Sequence, residues 1–195
     1  MMRKKLFLVV TIVLICISLT VISAIRIVSL NEKYPNPTVV NHSVNEEIDG
    51  GAISICINKA ELLNGNEFIE QVPDYSIEIN NSDGTLVSDE QIKVLLVNCC
   101  ITNNSEDAQT FSLTQMYAET LSWSNGIDGD IFPLINKDYK DPTQVDIEPQ
   151  QSISFVLPYN MYDFQFQKSE WNEIETKSFD ITLSVYPTKH IVVLN

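Results

Sequence analysis

Residues 92–105, IKVLLVNCCITNNS, decide the fold. Leu95, Val97, Cys99 and Ile101 recur at every second position, with Asn98, Cys100 and Thr102 between them. A period of two is that of a strand with one buried face. The run stops at Asn103-Asn104-Ser105, a turn signal. Upstream, Ile53, Ile55 and Ile57 alternate with Ser54, Cys56 and Asn58. Downstream, Thr110 to Thr114, Glu119 to Ser124 and Ile131 to Ile135 read as short strands, the last interrupted by Pro133, which suits an edge or a bend. Val145 and Ile147 lead to the turn Glu148-Pro149-Gln150-Gln151, after which Ile153, Phe155 and Leu157 alternate. Phe179, Ile181, Leu183 and Val185 do so again, and Pro187 bends the chain into a last strand, His190 to Leu194. About eight short strands at this spacing predict an all-β antiparallel sandwich or barrel. Helix is expected only at Ser169 to Glu175, where Ser169 can cap, and as a turn near Ala60 to Glu70.

Leu6 to Ile27 is an apolar run broken only by Arg26. At about 1.5 Å per residue it spans a bilayer core of roughly 30 Å. Arg3, Lys4 and Lys5 precede it, the side that stays cytoplasmic. The chain is therefore expected to be a single-pass membrane protein with its C-terminal domain outside. Secretion after signal cleavage is the alternative, with Ser23-Ala24 as the cleavage site. Bulky Ile15 before Cys16 argues against lipidation there. The expected organisation is 1–5 cytoplasmic basic end, 6–27 transmembrane signal-anchor, 28–50 extended polar tether carrying Pro35 and Pro37, and 51–195 the sandwich domain.

From Tyr34 onward, 25 acidic residues face seven lysines and no arginine, a net charge of −18. Phosphate backbones need clustered Lys and Arg, so nucleic acid is excluded as a partner, and anionic lipid headgroups are disfavoured by the same sign. Solubility in a salty exterior accounts for the acidity, with a cationic ligand the competing reading.

The stretch Val97-Asn98-Cys99-Cys100-Ile101-Thr102-Asn103-Asn104-Ser105 resembles the V-x-V-x-I-x-N-x-S signature of telokin-like bacterial surface domains. Glu148-Pro149-Gln150-Gln151-Ser152-Ile153, Phe155-Val156-Leu157-Pro158-Tyr159 and Leu183-Ser184-Val185-Tyr186-Pro187 are similar to the same family. The resemblance covers Gly51 to Asn195 and implies an immunoglobulin-like sandwich of unknown function from Gram-positive bacteria. It implies no catalytic residue. Where the family has Gly after the turn proline, this chain has Gln150.

Chemistry has few footholds. Alternation turns Cys99 inward and Cys56 and Cys100 outward, so on neighbouring strands Cys56 and Cys100 could form a disulfide beside a buried Cys99 thiol, the other reading being three free thiols. His42 and His190 are isolated and make no zinc motif. Asp128 and Asp130 could offer oxygens to calcium, although their loop does not follow EF-hand order and reads first as a polar hairpin loop. No nucleophile elbow or phosphate loop is present, so no enzyme and no cofactor are expected. Tyr159, Tyr162, Phe164, Phe166 and Trp171 crowd the segment between two strands, as a cover over the sandwich end or as a binding platform. The expected function is non-enzymatic binding of a protein partner at the cell surface. The alternatives are a glycan- or small-ligand-binding module, with or without structural calcium, and an immunity-like factor.

Overall fold

The computed structural model describes residues 2–76, 81 and 84–194, with side chains from Thr11 onward. It divides into two compact units, residues 1–38 and 39–195. The first is helix α1 (Met2–Lys33), whose stretch Thr11–Lys33 contains 18 consecutive residues with a mean hydropathy of 2.4 and is long and apolar enough to cross a membrane. Its side chains from Ile12 to Leu30 are exposed, as lipid-facing residues are. Two of its polar side chains are paired within the helix: Ser18 Oγ donates to the Leu14 carbonyl and Thr20 Oγ1 to that of Cys16, each at 2.9 Å. Internal pairing of this kind is what a hydrocarbon surrounding demands.

The second unit is a sandwich built from β1 (Thr38–Ser43), β2 (Glu47–Asp49), β3 (Ile53–Asn64), α2 (Gly65–Gln71), β4 (Ile92–Asn103), β5 (Gln109–Phe111), β6 (Tyr117–Thr120), β7 (Trp123–Gly126), α3 (Phe132–Ile135), β8 (Val145–Ile147), β9 (Ser152–Tyr162), α4 (Lys168–Asn172), β10 (Phe179–Ser184) and β11 (Thr188–Leu194). One sheet runs β1-β11-β10-β6-β7, the other β2-β3-β4-β9, and β5 pairs with β8 as a separate ribbon. Between the sheets lie the inward residues that the alternation predicts: Leu95, Val97, Cys99 and Ile101 from β4, Phe155 and Leu157 from β9, and Ile181 and Leu183 from β10. At about 25 cal/mol per Å² of apolar area removed from water, this seam is the main source of stability. A smaller cluster on the far face of the second sheet gathers Leu63, Phe68, Ile92, Val94 and Tyr162, where α2 folds back over the sheet end. Asn64 starts α2 with a capping box, accepting from Glu67 N at 3.0 Å while Glu67 reaches back to Asn64 N at 3.0 Å.

Three expectations are corrected. The segment expected to be a tether, 28–50, is divided between α1, which continues to Lys33, and strands β1 and β2. Ile48 of β2 is buried in the main core. These strands are short and half exposed, so the sequence shows no apolar alternation there. Ile131 to Ile135 is not a strand but the entry to α3. Asp128 Oδ1 accepts the N–H groups of Asp130 and Ile131, each at 2.9 Å, and Phe132 N donates to Asp128 O at 3.0 Å. Pro133 follows in the first turn, where its missing N–H costs nothing. Glu119 to Ser124 is two strands, β6 and β7, joined where Leu121 takes a positive φ of 51°.

The edge of β9 is closed by the segment that contains α3. Asn136 accepts from Val156 N at 2.9 Å and donates to Val156 O at 2.8 Å, Asp128 N donates to Pro158 O at 2.8 Å, and Asn125 Nδ2 donates to Asn160 O at 3.1 Å. Covering an edge in this way removes a template for unwanted strand pairing. It also explains how β9 accommodates Pro158, which has no N–H to donate.

Candidate binding site

β9 ends at Tyr162, and a 3₁₀ turn, Asp163–Gln165, leads into α4. Gln165 organises the corner. Its Oε1 accepts from Tyr162 N at 2.9 Å and from the Trp123 indole at 3.2 Å. Gln167 begins α4 with a capping box to Glu170, rather than the expected Ser169. This tight reversal leaves a cleft of about 330 Å³ lined by Asp163, Phe164, Phe166, Lys168, Trp171 and Asn172.

The rings in and around the cleft are held in register. Phe166 and Trp171 lie 5.6 Å apart at 38°, and Trp123 lies 5.9 Å from Phe166 at 29°. Lys93 Nζ sits 5.6 Å from the Trp171 ring centre while pairing with Glu175 at 2.5 Å. That contact holds the Glu175 carboxyl below the ordinary glutamate range. Phe164 is 58% exposed, and its ring is parallel to that of Tyr162, 5.4 Å away. Preorganised rings of this kind lose little freedom on binding, and rings beside polar groups suit amphipathic ligands.

Of the five expected platform residues, Phe164, Phe166 and Trp171 share this cleft. Tyr159 does not belong to a platform: it is fully buried in the core, because β9 runs on through it and turns it inward. Tyr162 is buried to 5% exposure and faces a second, acidic cavity of about 340 Å³ with Asp74, Tyr75, Asp128, Asp130 and Asn160. Burial and the nearby Tyr75 and Asp128 push the Tyr162 phenol up. The two residues singled out for calcium thus meet in one cavity. Asp128 is already committed, with Oδ1 bonded to two backbone N–H groups and Oδ2 to the Asn160 amide. Among the described residues, no three His, Cys, Asp or Glu side chains are grouped to hold a metal. Asp163, Lys168 and Asn172 were missed as lining residues. Their only sequence signal was proximity to the aromatic segment.

Cys56 and Cys100 lie directly opposite one another on β3 and β4, both half-buried and both free thiols, and Cys99 is buried between the sheets. Burial pushes the Cys99 thiol far up, which keeps it protonated and inert. His42 and His190 also meet. His42 Nε2 is 2.9 Å from His190 Nδ1, and His42 Nδ1 is 2.6 Å from Glu46, which is drawn below its ordinary value by that contact.

Fold and site together define a β-sandwich domain that follows an N-terminal apolar helix and carries a ring-lined cleft. The model of the family described as "Domain of unknown function (DUF5028)" matches residues 32–190, and the chain belongs to that family. Among solved structures it is similar to an uncharacterized β-sandwich protein from Clostridium difficile 630, at 10% identity over 82% of this chain and 96% of that one, with a TM-score of 0.46. It is also similar to the yjhA protein from Bacillus subtilis, at 12% identity over 79% of this chain and 99% of that one, with a TM-score of 0.46. No curated protein matches the chain.

Proposed function

We propose that this chain is a single-pass, non-enzymatic binding protein of a Gram-positive cell envelope, with an immunoglobulin-like domain of the telokin-like kind held outside the membrane by α1. The ligand class is a glycan, taken at the cleft of Phe164, Phe166 and Trp171. The observation that carries this reading is an exposed ring, Phe164, beside two braced rings, with Asp163, Lys168 and Asn172 offering polar contacts in the same cleft. Apolar ring faces with a few placed polar groups match a sugar's alternating C–H and hydroxyl surfaces.

A second reading, docking of a protein segment, draws on a groove of about 400 Å³ on the outer face of the second sheet. Leu96, Asn98 and Val156 line it alongside Val72, Leu134 and Lys137, and it shares Asp74 and Leu134 with the acidic cavity. The deciding experiment is titration of oligosaccharides against the full-length protein in detergent micelles, in parallel with Phe164→Ala and Trp171→Ala. Saturable binding that falls at least tenfold in both variants, about 1.4 kcal/mol, supports the glycan reading. Absence of saturable binding, or binding that both variants leave unchanged, overturns the cleft as a glycan site and leaves the protein-docking groove as the reading.

A further inference from the structure

The β3–β4 ladder fixes how the two outward cysteines face each other. Ile53 lies opposite Asn103 and Cys56 opposite Cys100 in one unbroken register. One position beyond, Asn104 N donates to Ala52 O at 2.8 Å, which makes that a hydrogen-bonded pair. Pair types alternate along an antiparallel ladder, so Cys56 and Cys100, four steps on, are a hydrogen-bonded pair as well. Both neighbouring strands agree with this phase: Asn103 N turns the other way, to Gln151 O at 2.9 Å, and Gly50 N reaches Ile53 O at 2.9 Å from β2.

Such a pair has its Cα atoms about 5.5 Å apart, within disulfide range. Its Cβ atoms, however, stand near the wide limit of about 5.5 Å, against the roughly 3.8 Å that a relaxed disulfide adopts. A bond here closes only by drawing two strands together, and strained, accessible disulfides are the easily reduced ones. The setting favours exchange over inert burial. Both sulfurs are half-buried on the outer face, and the Asn58 amide donates to Cys56 Sγ at 3.3 Å. Partial burial, Cys100 and Glu47 push the Cys56 thiol up, which keeps its thiolate fraction low and exchange at this sulfur slow at neutral pH, with the rate rising as pH rises.

We propose that Cys56 and Cys100 are a thiol–disulfide exchange site that is oxidised by a disulfide-bearing oxidoreductase outside the membrane and opened again by thiols. One protein thiolate attacks a sulfur of the donor disulfide, forming a mixed disulfide and releasing one donor thiolate. The second protein thiolate then attacks the protein sulfur of that mixed disulfide, closing Cys56–Cys100 and expelling the second donor thiolate. Two protons pass from the protein thiols to the two donor thiols, and the donor disulfide takes up the two electrons. The site depends on neither the cleft nor its ligand.

The test uses the full-length protein in detergent, with oxidised glutathione as the probe donor, followed by acid quench, denaturation, alkylation and mass spectrometry. The reduced chain should alkylate at all four cysteines. The oxidised chain should lose two sites, give a linked Cys56–Cys100 peptide pair, and recover both sites in reduced glutathione. In Cys56→Ser, Cys100 should carry a glutathione adduct instead. Four reactive thiols after oxidation, a linkage through Cys99, or a bond that resists reduced glutathione would each overturn the proposal.

Discussion

Asn103 accepts from Ser105 twice, from its backbone N–H at 2.9 Å and from its hydroxyl at 2.7 Å. The same carboxamide donates to the carbonyls of Asp107, Ile147 and Glu148 at 2.8, 3.0 and 3.2 Å. A fully buried side chain thereby joins the end of β4 to the loop after it and to the turn after β8. The N-x-S part of the family-like signature is a structural clasp. Asn103→Ala strands several of these groups and should cost about 3 kcal/mol or more. Denaturant unfolding of the domain checks it, and a loss under about 1 kcal/mol would refute the clasp.

Gln150 has a φ of 60°, in the left-handed region that favours glycine. A side chain in that region costs about 1–2 kcal/mol. Gln150 offsets this by donating from Nε2 to the carbonyls of Asn104 and Ser105, each at 3.0 Å. Gln150→Gly should be close to neutral, since strain and hydrogen bonds leave together. Gln150→Ala keeps the strain and loses the bonds, and should be less stable than Gln150→Gly by about 1 kcal/mol. Equal melting points for the two variants would contradict this balance.

Two buried hydroxyls, Tyr159 Oη and Thr182 Oγ1, have no hydrogen-bond partner among the described residues. Their desolvation is uncompensated, and removal at constant shape should help. Tyr159→Phe and Thr182→Val are each expected to stabilise the domain by about 1 kcal/mol. Calorimetry would show the opposite sign if either hydroxyl is paired in solution.

Asp180 is raised above the ordinary aspartate value by burial and by Glu119, with Lys189 acting the other way. A raised carboxyl opposes folding while charged, and the penalty disappears as pH falls through its folded value. Asp180→Asn should therefore raise the denaturant midpoint at neutral pH and lose that advantage in mild acid. Glu175, held low by Lys93, has the reverse sign: its contribution is present above the unfolded value and is lost as pH falls through the folded one. A pH-independent gain in Asp180→Asn would assign the effect to packing.

Much of this was legible because burial imposes a period. The inward residues of β4, β9 and β10 appear in the sequence as every second apolar position, and the aromatic run at 162–171 pointed toward the cleft. Where geometry depends on partners far along the chain, the sequence was silent. β1 shows no apolar alternation and β2 buries only Ile48, and β9 continues through Pro158 under the cover of residues 125–136. Asp128 resembled a metal ligand but serves the turn into α3. The opposition of Cys56 and Cys100 could be posed from parity, and only the ladder supplied the register.

Residues 34–37 alone join α1 to β1, and β1 is an outer strand hydrogen-bonded to β11. If α1 is held in a membrane as proposed, a load on the domain reaches α1 through that one ladder. His42 and His190 clasp it from side to side, and Glu46 secures the turn that follows through His42 and Ser43 N. The first structure to yield under tension would be β1 peeling from β11, which would lengthen the leash while the β3–β4–β9 sheet stays folded.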